Sequence, residues 1–203
     1  GVDTSYMIIR KGKWDIPQFL GTGEISECSL AYLVTDPTEG THYTIDLAYR
    51  FVQGHIVLLG FPDILFKPLN AFSQLLNKQR ETSADVVLGL FEATNPHGAD
   101  MLEIDAAGRL IDIVIKPEET DLTHTWIIAV WTPRFTEYLH QFVAETDQSK
   151  NGRTNTTGEV YIGDVIRKAL DDGLDIETVA FPDGKYTDIG TVPDLKRALN
   201  DGF

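Results

Sequence analysis

Apolar residues in this chain fall in short bursts separated by longer amphipathic stretches. Runs of strand length stand at about 5–9, 30–34, 56–60, 86–91, 101–104, 110–114, 126–131 and 176–181, and their β-branched and aromatic content favours strands. Between most of them, segments near 41–52, 69–80, 134–146, 161–172 and 193–200 space their apolar residues as helices do. This alternation predicts an α/β layered fold with a largely parallel sheet. Residues 101–114 depart from it: Met101-Leu102-Glu103-Ile104 and Leu110-Ile111-Asp112-Ile113-Val114 flank Asp105-Ala106-Ala107-Gly108, which predicts an antiparallel hairpin. Two polar stretches, Thr35 to Gly40 and Thr146 to Gly158, read as loops of a length that suits either a lid or an unstructured connection.

With 203 residues, the chain is long enough for one well-buried core, and no second domain is required. Its 17 basic and 31 acidic side chains give a formal charge of −14. Nucleic acid and anionic membrane surfaces, which are held by clustered Lys and Arg, are therefore not expected partners. The single cysteine, Cys28, excludes a disulfide framework and fits a reducing compartment, so the expectation is a cytoplasmic protein. No apolar run approaches the roughly 18–20 residues of a membrane-spanning helix. Gly1-Val2-Asp3 leads almost directly into the first strand-like run, as in a chain entered partway through a domain.

Two aspartates carry the main chemical signal. Asp63 follows the run Ile56 to Gly60 in GFPDILF, and Asp188 lies in KYTDIGTVPDL after the run ending near 181. Each is placed in the turn that leaves a strand, where ligands bind in open α/β sheets. A pair of carboxylates on separate strand ends suits a divalent cation and a nucleotide's phosphates, because Mg²⁺ takes one or two protein carboxylates and leaves its other positions to water and phosphate. Each also has a plainer reading: Pro62-Asp63 is a good turn, and the residues around Asp188 could serve only as the entry to a helix starting near Pro193. Lys116 emerges at a strand end before Pro117 and could hold a phosphate as a point charge, or be an ordinary solvated lysine. Gly40-Thr41 opens a helical pattern, where backbone N–H groups can approach a ligand. His42, His55, His97, His124 and His140 show no metal-ligand spacing, and Trp126 and Trp131 read as core.

Taken in order, GTHYTIDLAYRF, VLLGFPDILF, ADVVLGLF, MLEIDAAGRLIDIVIKPEE, TWIIAVWTPRFTEYL, GEVYIGDVIRKALDDG and YTDIGTVPDLKRAL resemble the successive blocks of the sugar-1-phosphate nucleotidyltransferases, with the flavour of glucose-1-phosphate thymidylyltransferase. The resemblance runs from near residue 5 to residue 200. It implies a Rossmann-like sandwich with a mixed, mainly parallel sheet and a β-hairpin insertion. It also implies transfer of a nucleotidyl group from a nucleoside triphosphate, dTTP or UTP, to a sugar-1-phosphate with release of pyrophosphate. Under it, Asp63 and Asp188 match the pair that binds Mg²⁺, and Lys116 matches the lysine that grips the sugar phosphate. Gly40 matches a loop glycine beside the nucleobase, and Gly60 the glycine preceding the metal aspartate. Members of the family commonly assemble, so a homo-oligomer is a further expectation.

The departures from the family are specific. Gly60-Phe61-Pro62-Asp63 stands where the family has Gly-Asp, so the turn must absorb two extra residues. Ile115 replaces a sugar-contacting glutamate, and Asp100 and Ile127 replace glycines beside the sugar ring. The phosphate and metal side is kept while the sugar side is rewritten, which predicts an acceptor other than glucose-1-phosphate. Nothing here matches the family's opening strand and its glycine-rich G-x-G-[ST]-R loop, whose amides wrap the triphosphate. That strand would lie between those at 5–9 and 56–60, so the expectation is a single domain over 1–203 that is incomplete at its N-terminus. A second reading stays open beside the enzyme: a catalytically inactive nucleotide- or sugar-binding regulatory relative that pairs with an active subunit. A third is an α/β domain with no catalytic role.

Overall fold

The computed structural model describes residues 1–23, 28–106, 108–150 and 160–200, with 147–150 as backbone only. In chain order the elements are β1 (Thr4–Arg10), α1 (Asp15–Leu20), β2 (Ser29–Thr35), α2 (Thr41–Asp46), α3 (Tyr49–Val52), β3 (Val57–Leu59), β4 (Ile64–Lys67), α4 (Ala71–Thr82) and β5 (Val86–Glu92). There follow β6 (Met101–Ile104), β7 (Leu110–Val114), β8 (His124–Trp131), α5 (Pro133–Lys150), α6 (Ile162–Asp171), β9 (Ile176–Ala180), β10 (Lys185–Asp188) and α7 (Val192–Asn200).

The central sheet is mixed, in the order β7-β6-β8-β5-β9, with β3 also paired to β8. Strand β8 runs antiparallel to β3, β5 and β6, and β9 runs parallel to β5. It follows that β3, β5, β6 and β9 all point one way against β8. The predicted hairpin is present as β6 and β7. Strands β1 and β2 form a separate parallel pair, and among the described residues β1 pairs only with β2 and β3 only with β8.

Residues 86–91 are buried throughout, because helices cover both faces of β5. Val86, Leu88 and Leu90 face a core shared with Phe135, Leu139, Val165 and Ile166 of α5 and α6. Val87 and Phe91 face the opposite core with Ala71 and Leu75 of α4. Strand alternation thus builds the two apolar layers of an α/β/α sandwich, and each fully buried Leu or Val contributes about 1.5–3 kcal/mol of transfer free energy. Among the described residues, no helix is long and apolar enough to cross a membrane.

Several boundaries differ from expectation. The segment 41–52 is two helices, because the Ala48 amide turns back to the Ile45 carbonyl at 3.1 Å, an i to i−3 bond that tightens the last turn of α2. Residues 146–150, expected in a loop, belong to α5, and the rest of that expected loop, 151–158, lies outside the described residues. The short elements α1, β4 and β10 have no counterpart among the expected elements.

Candidate active site

Asp63 and Asp188 are brought together by the two short strands that follow and precede them. Strands β4 and β10 pair antiparallel with Asp188 opposite Ile64, and the Ile189 amide donates to the Asp63 carbonyl at 2.7 Å. A Cβ placed on Gly190 would lie 3.0 Å from Asp188 Oδ1 and 3.9 Å from Asp63 Oδ2. The two carboxylate oxygens are therefore no more than about 7 Å apart, the limit those distances allow. Asp188 Oδ1 also accepts the Gly190 amide at 2.7 Å, which fixes its rotamer. Both residues are exposed, as suits a cation that keeps water and ligand oxygens in most of its positions.

The two extra residues between Gly60 and Asp63 are taken up in a β-turn. The Ile64 amide donates to the Phe61 carbonyl at 3.1 Å, which puts Pro62 at the position its fixed φ favours and Asp63 beside it. Gly60 opens this turn, with Phe72 Cζ 3.4 Å from where its Cβ would stand. Gly40 is buried at the start of α2, and any Cβ there would collide with the Val160 carbonyl and the His42 ring. Close packing against the entry to α6 therefore accounts for glycine at 40. Nearby, Thr41 Oγ1 accepts the Ile162 amide at 2.9 Å, tying α2 to the N-terminus of α6.

The edge of β8 explains where a ligand could enter. On one side, β5 pairs along it from Val86 opposite Trp131 to Glu92 opposite His124. On the other side, β6 takes His124 and Thr125 and β3 takes Ala129 to Trp131. Trp126, Ile127 and Ile128 have no strand partner on that side among the described residues. Asp63 leaves the end of β3 on one flank of this gap, and Asp100 precedes β6 on the other.

Lys116 stands beyond the hairpin with φ of 40°, a left-handed conformation that costs a non-glycine residue roughly 1 kcal/mol or more. Its Nζ lies 3.5 Å from the ring centroid of Tyr161, a cation–π contact that orients the ammonium. Its charge acts on Asp100, whose carboxyl is pushed up to about 6, first by burial, with Lys116 opposing the rise and Asp164 adding to it. Phe61 packs on Trp126 with centroids 6.0 Å apart, so the turn carrying Asp63 touches the residue that adjoins Asp100. The carboxylate pair and Lys116 thus border the same stretch of sheet edge.

Trp126 is core as expected, at 6 % exposure, and its indole N–H favours the charged form of the neighbouring Asp100 carboxyl. The sequence carries no signal for Tyr161, because an aromatic before an amphipathic helix is an ordinary packing residue. Among the described residues, no three His, Cys, Asp or Glu side chains converge as a metal cluster. His140 instead stacks on Tyr49, with centroids 3.7 Å apart, and meets Asp46 at 2.9 Å.

Comparison with known proteins bears on the family and the fold. A family model described as Nucleotidyl transferase matches residues 6–202. The bifunctional protein GlmU of Pseudomonas fluorescens strain ATCC BAA-477 is 27% identical over 157 residues, covering 73% of this chain and 32% of that protein. The chain thus spans about a third of the length of the curated relatives it matches. A provisionally named glucose-1-phosphate thymidylyltransferase from Bacillus anthracis, solved with sucrose, superposes with a TM-score of 0.77 at 21% identity over 98% of this chain and 76% of that one. The inositol-1-phosphate CTP transferase from T. maritima superposes with a TM-score of 0.69 at 19% identity over 99% and 76%. At these identities the structural likeness establishes the shared α/β fold.

Proposed function

Since the chain belongs to the nucleotidyl transferase family, we propose that it transfers a nucleotidyl group from a nucleoside triphosphate, dTTP or UTP, to a sugar-1-phosphate. An oxygen of the acceptor's phosphate attacks the α-phosphorus. As the new P–O bond forms, the bond to the bridging oxygen breaks, and pyrophosphate leaves with that electron pair. The product is a nucleotide-sugar, made in the cytoplasm.

The convergence of Asp63 and Asp188 across the β4–β10 pair carries this reading. Their all-oxygen donor set and exposure fit Mg²⁺. When bound, Mg²⁺ supplies charge neutralisation for the triphosphate. Asp63 and Asp188 hold that charge at the end of β3, while Lys116, steadied over Tyr161, takes the acceptor phosphate as a point charge. Gly60 lets the chain enter the turn that presents Asp63, and Gly40 keeps the 35–40 segment against α6 on the nucleotide side. Catalysis of this kind rests on alignment and charge rather than on a covalent enzyme intermediate. The edges of β1 and β3 that have no strand partner among the described residues support the further proposal that another strand completes the domain.

Pyrophosphate release from dTTP, UTP and CTP, each with a panel of sugar phosphates, tests the function. The expected result is activity with at least one pair, reduced more than about 100-fold by Asp63→Asn and by Asp188→Asn, since each removes half of the anionic ligand set. Undiminished release in either variant, or none from the full-length protein with any pair, overturns it.

A further inference from the structure

Lys116 has two partners of different kinds nearby. Its Nζ sits 3.5 Å from the Tyr161 ring centroid, and its charge also acts on the Asp100 carboxyl, where it favours the ionised form. The segment bearing Lys116 runs close to Asp100: Asp100 Oδ2 and Ile115 Cδ1, of the residue just before Lys116, both crowd the place a Cβ would take on Gly163. Among the described residues, however, Lys116 enters no ion pair within 4.0 Å, with Asp100 or any other carboxylate. The ammonium rests on the ring instead.

That ring is held from both sides. The Tyr161 amide donates to Asp164 Oδ2 at 2.8 Å, and the Tyr161 carbonyl accepts the Asp164 amide at 3.1 Å. Before it, the Val160 carbonyl meets His42 Nδ1 at 2.9 Å; after it, the Ile162 amide donates to Thr41 Oγ1 at 2.9 Å. Residues 160–162 are thus clasped by α2 and by the first turn of α6, and the half-buried ring is a fixed platform. Lys116 is exposed, and its flexible four-carbon stem would otherwise let the ammonium settle on a neighbouring anion. Asp164 is committed to the start of α6, so that anion is Asp100.

We infer that Tyr161 is a positioning residue, whose ring keeps the Lys116 ammonium out of an ion pair with Asp100 and available to the acceptor phosphate. A π face attracts a cation without neutralising it, so an ammonium resting there keeps its charge and its N–H donors for a phosphate. An ammonium paired with a carboxylate must first break that pair, and the apparent phosphate affinity falls with the fraction of lysine held in the wrong place. The ring matters because Asp100 is charged, so the effects of the two residues are coupled. This inference rests on the proposed role of Lys116 as the acceptor-phosphate site.

Isothermal titration of the full chain with methyl phosphate tests it. Tyr161→Leu should weaken binding about three- to fivefold, the scale of an exposed cation–π contact. Tyr161→Phe, which keeps the π face and deletes the hydroxyl, should stay within about 1.5-fold of native. Adding Asp100→Asn to Tyr161→Leu should restore affinity to within about 1.5-fold of the Asp100→Asn protein itself, a rescue that a general loss of folding would not show. In NMR spectra the Lys116 Hε resonance, assigned by its loss in Lys116→Arg, should be shifted upfield by the ring in the native chain and in Tyr161→Phe, and should return to the ordinary lysine range in Tyr161→Leu. Native affinity in Tyr161→Leu, a Phe variant as weak as the Leu variant, or an equal penalty for Tyr161→Leu with and without Asp100 overturns the inference. If Tyr161→Leu does not fold, phenylalanines with one, two and three ring fluorines at position 161, which keep the shape and drain the negative face, should weaken binding stepwise, and indifference to fluorine overturns it. Undiminished binding in Lys116→Ala, or no binding by the native chain, overturns the role of Lys116 and this inference together. Loss in Lys116→Ala with no change in Tyr161→Leu overturns the inference alone.

Discussion

Replacing Asp100 with Asn should make the protein more stable at pH 8 and leave its stability unchanged at pH 4. Burial lifts the Asp100 carboxyl from 3.8 to about 6 despite the opposing charge of Lys116. That displacement corresponds to about 3 kcal/mol of preference for the neutral form in the native state. Because the folded value lies above the unfolded one, the native state binds the extra proton between about pH 4 and pH 6. The group's contribution is thus fully favourable below pH 4 and is lost as pH rises through 6. Asn has no charge to bury, so at pH 8 the variant should gain up to about 3 kcal/mol, the upper end because the carboxylate keeps some solvent contact. For a chain of this size that is about 6–12 °C in Tm. Thermal unfolding of both proteins at pH 4, 5, 6, 7 and 8, plotted as the difference in Tm, reads it directly. A difference that does not grow with pH, or a less stable variant at pH 8, would refute the reasoning by showing that the fold itself satisfies the carboxylate.

Gly163→Ala places a Cβ against Asp100 Oδ2 and Ile115 Cδ1, so it should destabilise the chain although alanine normally favours a helix by about 1 kcal/mol. In an Asp100→Gly background the same change should cost less, and a thermal-melt double-mutant cycle measures the coupling; additive effects would contradict the close approach. Asp85, at 7 % exposure, accepts Arg134 Nη1 at 2.7 Å and the Asp175 amide at 3.0 Å, joining α5 to the starts of β5 and β9. Asp85→Ala should cost about 2–3 kcal/mol by leaving the amide unpaired, read as a lower urea midpoint, whereas an unchanged midpoint would show the staple to be dispensable.

What could be read beforehand follows length and burial. Val86 to Phe91 is apolar throughout because helices cover both its faces, and such a run advertises itself. The hairpin at 101–114 was legible because a polar, glycine-containing spacer divides two short apolar runs. The short strands β4 and β10 escaped notice because four residues beside a turn carry little periodicity, and their pairing joins positions more than 100 residues apart. They are nonetheless what unites Asp63 with Asp188, so the residues of the site were readable while the reason they meet was not. Asp100 stood out only as a departure from a resembling family. That Trp126 Nε1 faces the Asp100 carboxyl depends on tertiary neighbours which composition and spacing do not encode.

The claim on which the rest depends is that Asp63 and Asp188 share one cation, and paramagnetic broadening by Mn²⁺ in NMR spectra of the protein tests it most directly. The amides of Ile64 and Gly190, which flank the two carboxylates, should broaden at the lowest Mn²⁺ concentrations and recover when Mg²⁺ is added. Asp63→Asn and Asp188→Asn should each abolish that early broadening. Broadening that begins elsewhere in the fold, or that persists unchanged in either variant, would contradict the shared site.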